Sequence, residues 1–297
     1  MKILNFGSLN LDNVYHVDHF VRAGETLSSD AMHIYCGGKG LNQSIALARS
    51  GAKVFHAGAI GLEDGNILKE ALERNGVNID HLLQLKDKKT GHAIIQIDKS
   101  GQNCILLFPG ANHCITREHI DKTLENFSEG DLLILQNEIN NIDYIINQAH
   151  EKGMQIVLNP SPMNEKILAL PLEYVDYFIL NEVEMADISE DDNEEKGLQS
   201  LKEKYPNASV VLTLGSRGVR FENGSLSLSR GIFKVDAVDT TAAGDTFTGY
   251  FFGAISQGEH VSQALKIASM ASAIAVSRQG AEPSIPYMEE VAERLNP

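Results

Sequence analysis

From residue 115 onward the sequence keeps one rhythm. Helix-like stretches at 116–126, 141–151 and 194–204 are interleaved with short apolar runs at 132–136, 154–158, 176–180 and 209–214. The runs are almost wholly apolar, as in Leu132-Leu-Ile-Leu135 and Ser209-Val-Val-Leu212. A strand wetted on one face alternates apolar and polar residues, whereas a strand covered on both faces does not. Buried strands spaced by helices are βαβ units. They predict an α/β chain with a doubly wound, mostly parallel sheet flanked by helices. The remaining segments fit the same plan. Residues 2–6 and 54–59 read as strands. Helices are expected at 41–49, stopped by Gly51, and at 64–74, stopped by Asn75-Gly76. Helices at 244–256, 261–278 and 287–295 close the chain.

Two early regions break the rhythm. Segments 12–21 and 30–35 alternate only partly and carry Tyr15, His16, His19, Phe20, His33 and Tyr35. They read as a hairpin joined through Ala23-Gly24-Glu25. Segments 91–98 and 103–108 flank Lys99-Ser-Gly-Gln102, which suits a hairpin turn. A further short antiparallel cluster is expected over 217–235. With no linker and no repeat, residues 1–297 read as a single α/β domain with a small β-sheet lid built from about 12–35 and 91–108. A closed lid excludes water from a reaction that water would spoil. Its apolar edge strands need cover, so a homodimer through the lid is expected.

Ligands of open α/β sheets bind outside the carboxyl ends of the strands. The residues after the apolar runs are therefore the candidates. Foremost is Asp239-Thr-Thr-Ala-Ala-Gly-Asp-Thr-Phe247. The small residues Ala242, Ala243 and Gly244 allow close backbone approach. They lead into a helix, whose N-terminal N–H groups suit a phosphate. Asp245 beside such an anion hole could take a proton from a substrate hydroxyl during phosphoryl transfer. The plain alternative is that Asp245 or Thr246 caps the helix.

Other segments add to this. Gly37-Gly-Lys-Gly-Leu-Asn42 opens the first long helix with Lys39 and Asn42 as donors; it has neither P-loop nor dinucleotide-fingerprint spacing. Asn10 and Asp12 would share one side of an extended segment and could grip vicinal hydroxyls. In Asn181-Glu-Val-Glu184 a capping box and an ion-holding acidic pair are both open readings. Thr213-Leu-Gly-Ser-Arg-Gly218 is either a turn between strands or a nucleotide-contacting turn.

Twenty-five basic against forty acidic residues give a net charge of −15. That weighs against nucleic-acid and anionic-membrane partners, and requires local neutralisation of any bound phosphate. No apolar run reaches the roughly 18 residues of a membrane span. The first residues turn polar too soon for a signal peptide. Cys36, Cys104 and Cys114 form no CxxC pair, which fits a reducing, cytoplasmic setting.

With these residues assembled, the chain resembles the ribokinase, or PfkB, family of carbohydrate kinases, from Gly7 to about Pro286. The resemblance rests on Gly37–Asn42 and Asp239–Phe247 and is supported by Asn181–Glu184. Gly7-Ser-Leu-Asn-Leu-Asp12, Pro109-Gly-Ala-Asn112, Gln136-Asn-Glu138 and Gly280-Ala-Glu-Pro-Ser284 are most similar to the ribose-phosphorylating members. It implies ATP-dependent phosphorylation of D-ribose at the 5-hydroxyl. Asn10, Asp12, Gly38, Lys39, Asn42 and Glu138 would hold the pentose. Asp245 would be the base, and Ala242, Ala243 and Gly244 the anion hole. ATP would meet Asn181, Thr213, Gly215, Ser216, Arg217, Gly218, Gly244 and Ser269. Glu184 would organise Mg²⁺ waters, and K⁺ would lie among Asp239, Thr241, Ala275, Arg278, Gly280 and Ser284. Ser269 stands where the family often has Asn near the adenine, and Cys36 before Gly37 is also a departure. The alternatives are a kinase for another sugar such as fructose or deoxyribose, a nucleoside kinase, or a non-catalytic sugar sensor.

Overall fold

The apolar runs pair side by side, as burial of both their faces requires. The computed structural model describes residues 1–296. The chain opens with β1 (Ile3–Phe6), β2 (Asn10–His16) and β3 (Ala31–Gly37), then α1 (Lys39–Arg49), β4 (Val54–Gly61) and α2 (Asn66–Arg74). Four strands follow, interrupted by α3 (Arg117–Leu124): β5 (Asn78–Leu85), β6 (Gly91–Ile97), β7 (Asn103–Phe108) and β8 (Leu132–Gln136). Next come α4 (Ile142–Glu151), β9 (Gln155–Asn159), β10 (Tyr177–Asn181), α5 (Glu182–Ser189), α6 (Glu194–Lys204) and β11 (Ser209–Thr213). The strands β12 (Val219–Glu222) and β13 (Ser227–Arg230) precede α7 (Ala243–Ser256), α8 (Val261–Val276) and α9 (Met288–Leu295).

The main sheet has the order β13-β12-β11-β10-β9-β8-β1-β4-β5. It is parallel from β11 to β5, and only β12 and β13 run antiparallel. The chain first builds outward from β1 through β4 to β5, then returns to β8 on the other side of β1. The gap between β1 and β8 is therefore the topological switch point, where such sheets bind ligands. A second sheet, ordered β3-β2-β6-β7, forms the lid. Two antiparallel pairs meet in it through a parallel pairing of β2 with β6.

Several expectations change in detail. The strand β5 is an addition to the expected set; Asn78-Ile-Asp-His-Leu-Leu-Gln-Leu85 mixes polar and apolar residues without clear alternation because it sits at the sheet edge. The β2–β3 hairpin forms with its turn at Ala23-Gly24, but the strands are shorter than expected at that end, so the connection spans residues 17–30. The antiparallel cluster ends at Arg230, and residues 231–242 form neither helix nor strand. No helix among the described residues is long and apolar enough to cross a membrane.

Alternation along β1 explains the packing. Ile3 joins the apolar layer containing Leu41, Ile45, Phe251 and Phe252, while Leu4 and Phe6 face the opposite layer with Ile145 and Ile146. Asn5, on the Ile3 side, is thereby aimed at α1. Helices α1 and α7 lie in direct contact because Gly249 and Gly253 leave room. A Cβ on Gly249 would stand 2.3 Å from Cβ of Ala46, and one on Gly253 only 1.9 Å from Oγ of Ser50. One turn earlier along each helix stand Asn42 and Asp245.

Candidate active site

The switch point gathers the first group. After β1, Ser8 donates its hydroxyl hydrogen to Oε2 of Glu138, which follows β8. The same oxygen accepts the Lys39 N–H at 3.0 Å. The helix that Lys39 begins can reach this place only because of glycine. Gly38 has φ +94°, a left-handed conformation, and a Cβ on Gly40 would lie 2.4 Å from the Ser8 nitrogen. Asn10 and Asp12 stand on β2, two residues apart, with Asp12 within electrostatic reach of Glu138. Asn112 Nδ2 donates to Oδ1 of Asn10 at 2.8 Å. That bond leaves the Asn10 amide nitrogen free to turn to a ligand.

Charge is concentrated here. Burial, reinforced by the nearby Glu138, pushes the Asp12 carboxyl up to about 7. Burial likewise raises Glu138, against the pull of Lys39 and Ser8. Burial works against the Lys39 charge, but Asp245, Glu138 and Glu184 outweigh it and hold the ammonium above its usual range. Thus Asp12, Lys39, Glu138, Glu184 and Asp245, predicted from separate segments of the chain, form one electrostatic cluster.

Asp245 does not cap its helix. The N-cap is Ala242, with no side-chain cap, and Asp245 is the third helical residue. Its Oδ2 accepts from Asn42 Nδ2 at 3.0 Å and its Oδ1 from Gln43 Nε2 at 2.9 Å. In the preceding turn, the Ala243 N–H reaches the Thr240 carbonyl at 3.2 Å and the Thr246 N–H the Ala242 carbonyl at 2.8 Å. Among the described residues, the N–H groups of Ala242, Gly244 and Asp245 have no acceptor. A carboxylate next to unpaired N–H groups at a helix N-terminus can hold an anion and remove a proton in the same place.

On the far side of Gly244 a cavity of about 630 Å³ opens. Asn181, Thr213, Gly215, Ser216, Gly218, Ala243, Gly244 and Ser269 line it. Arg217 does not; its guanidinium pairs with Glu182 at 2.5 Å and Glu194 at 2.7 Å. The irregular 231–242 segment supplies an apolar wall, Ile232, Phe233, Val235 and Ala237, opposite Ala273 and Val276 of α8. A slot with apolar walls and a polar mouth suits a flat aromatic ring with a charged tail. Asn181 and Glu184 do form a capping box, each accepting the other's N–H at 2.9 Å. The cap takes only Oε2 of Glu184, which fits an ion held through water by Oε1.

The cation candidates also converge. Asp239 accepts from the Thr241 N–H and the Gly280 N–H, both at 2.9 Å. Burial acts against the Asp239 charge, but the bonds from Thr241 and Gly280 outweigh it and hold the carboxyl below its usual range. The Arg278 N–H reaches the Ala275 carbonyl at 3.0 Å, while the Arg278 guanidinium turns away to Glu290 at 2.6 Å. Any contribution from Arg278 is therefore its backbone. Glu282, clamped by Arg49 at 2.8 Å and Arg74 at 2.9 Å, anchors the loop that carries Gly280 and Ser284. Among the described residues no three His, Cys, Asp or Glu side chains form a metal-binding group. An all-oxygen set of one carboxylate and backbone carbonyls fits a hard cation.

Sequence reasoning gave no role to Ser8, Gln43, Asn112, Gln136 or the 231–237 wall. Ser8, Asn112 and Gln136 stood in motifs that carried the resemblance. Nothing in the pattern of 231–237 marks it as a binding wall.

The chain matches the pfkB family carbohydrate kinase over residues 1–288. A ribokinase from Haemophilus influenzae is 33% identical over 301 residues, covering 97% of this chain and 96% of that protein. A deoxyribokinase from Salmonella typhi is 30% identical over 308 residues, covering 100% and 99%. The structure of Arabidopsis thaliana ribokinase complexed with ribose and ATP has a TM-score of 0.87 at 27% identity, covering 99% of this chain and 98% of that one. The sheet order, the lid and these matches define the ribokinase-like fold class. The chain belongs to the pfkB family of carbohydrate kinases and is an ATP-dependent sugar kinase.

Proposed function

We propose that this kinase transfers the γ-phosphoryl group of ATP to the 5-hydroxyl of D-ribose, giving ribose 5-phosphate and ADP. The observation that carries the reading is Asp245, held by two amides beside three unpaired N–H groups at the start of α7. Asn10, Asp12, Gly38, Lys39, Asn42 and Glu138 bind the sugar hydroxyls. Asp245 accepts the 5-hydroxyl proton, and the freed electron pair forms the new P–O bond as ADP leaves. A carboxylate is a weak base, which suffices because a loose phosphoryl-transfer transition state needs little proton removal beforehand. The Ala242, Ala243 and Gly244 turn and the Asp245 N–H hold the charge on the moving phosphoryl group. ATP occupies the cavity between the 213–218 turn, Ser269 and the 231–237 wall. Mg²⁺, organised through Glu184, supplies charge neutralisation when bound. Asp239, Thr241, Ala275, Gly280, Ser284 and the Arg278 carbonyl would hold K⁺, which would supply positive charge behind the anion hole.

The protein works as a homodimer in the cytoplasm. On β7, Ile105 and Leu106 are 52% and 67% exposed beside exposed Ile94 of β6, and Met32 and Ile34 are exposed on the opposite edge strand β3; a second lid is the cover such a sheet calls for.

An ADP-release assay over ribose, 2-deoxyribose, fructose, other pentoses and nucleosides, with and without K⁺, tests the reading. Preference for ribose with K⁺ stimulation supports it. Preference for 2-deoxyribose, the alternative favoured by the Salmonella relative, keeps the Asp245 chemistry and overturns the substrate.

A further inference from the structure

Only one of the two amides on Asp245 is among the proposed sugar ligands. The other, Gln43, is completely buried, as are Gln136, Asn5, Ser44 and His56 behind it. These side chains form one continuous relay drawn from α1, β8, β1 and β4. Gln136 Nε2 donates to Oε1 of Gln43 and to Oδ1 of Asn5, each at 2.8 Å. Asn5 Nδ2 donates to the Gly40 carbonyl and to Ser44 Oγ, each at 2.8 Å. Ser44 Oγ lies 2.8 Å from Nδ1 of His56.

The donor and acceptor roles of the amides Gln43, Gln136 and Asn5 have one consistent solution. An ionised Asp245 has nothing to donate, so Gln43 must present its nitrogen to it. Oε1 of Gln43 then needs a donor, which Gln136 provides. Gln136 and Asn5 spend both amide hydrogens, so Ser44 accepts from Asn5 and gives its own hydrogen to His56. That places the ring hydrogen on Nε2, and burial, pushing His56 down to about 3, keeps the ring neutral. The His56 end of the relay is therefore fixed across the working pH range.

We propose that Gln43, locked by Gln136 and Asn5, is a positioning residue that holds Oδ1 of Asp245 as a permanent acceptor and leaves Oδ2 to receive the substrate proton. Asn42, on Oδ2, is free to follow that proton. Its Oδ1 is buried without a partner, so rotating the amide turns it from a donor to ionised Asp245 into an acceptor from the protonated acid. Gln43 cannot make that exchange, because its oxygen is committed to Gln136. In the step, the substrate O–H bond breaks, the Oδ2–H bond forms, and the electron pair stays on the sugar oxygen to attack phosphorus. This inference rests on Asp245 being the base.

The test uses the whole protein with Gln43→Leu and Gln43→Glu, reading kcat, ribose KM, calorimetric ribose affinity and the pH profile. Removing the fixed donor in Gln43→Leu should lower kcat on the order of tenfold to a hundredfold, with ribose affinity within about threefold. The carboxyl introduced by Gln43→Glu can donate to Asp245 only while it keeps a proton. The ratio of Gln43→Glu to wild-type kcat should therefore rise as pH falls from about 8 to about 6. Wild-type kcat in both variants, or a ratio flat with pH, overturns the proposal. If Gln43→Leu does not fold, the pH response of Gln43→Glu decides alone. Asp245→Asn assayed in parallel separates the two readings. Loss of turnover there with normal Gln43 variants sinks only the positioning role; normal turnover there sinks the base.

Discussion

Gly249 and Ala46 touch so closely that no side chain fits between them, a Cβ on Gly249 falling 2.3 Å from that of Ala46. The contact sets the register of α7 on α1. One turn before it Asp245 meets Asn42, and one turn after it Gly253 meets Ser50. The meeting of Asp245 with Asn42 is thus a consequence of helix packing. Gly249→Ala should cost about 1–3 kcal/mol through overpacking. It should also lower kcat more than it raises ribose KM, since the displaced group is Asp245 rather than the lid. Thermal unfolding and steady-state kinetics of the variant check both parts.

Sugar binding should depend on pH through Asp12. Its carboxyl sits at about 7 in the free protein, and sugar hydroxyls donate to the ionised form. Binding therefore favours deprotonation, releases a proton near neutrality, and weakens as pH falls. Ribose affinity at pH 6 should be about tenfold below its value at pH 8, the cost of removing that proton first. Calorimetry in buffers of different ionisation enthalpy measures the proton release. Asp12→Asn should bind more weakly at high pH and lose this dependence.

The exposed apolar face of the lid predicts self-association. The chain has a mass of 32.5 kDa, and sedimentation at micromolar concentration should show a species of twice that. Leu106→Lys, placing a charge at the most exposed apolar position of β7, should shift it to the monomer. A wild-type protein sedimenting only as a monomer contradicts the lid-to-lid dimer.

Much of this is legible from residue types. The buried parallel strands stand out because covering both faces leaves only apolar residues, as in Leu132–Leu135. The lid hairpin at 91–108 is marked by its turn, and Asp239–Phe247 by the conjunction of small residues and a carboxylate. What escapes depends on tertiary placement. Strand β5 has an edge strand's mixed face, and its pairing with β4 is not written in its pattern. Asp245 leaves a helix cap open as an alternative because capping and catalysis use the same residue types; only the meeting of α1 and α7 shows its side chain turned onto Asn42 and Gln43. Gln43 and Gln136 carry no spacing that distinguishes a buried relay from two surface glutamines.

The most direct measurement is turnover of Asp245→Asn with ATP, Mg²⁺ and ribose, alongside calorimetric ribose binding. Asparagine keeps the shape and removes the base, so kcat should fall roughly a hundredfold to ten-thousandfold, with ribose affinity changed only a few-fold. A variant that turns over within about tenfold of the wild type, below that range for a lost general base, contradicts the assignment of Asp245.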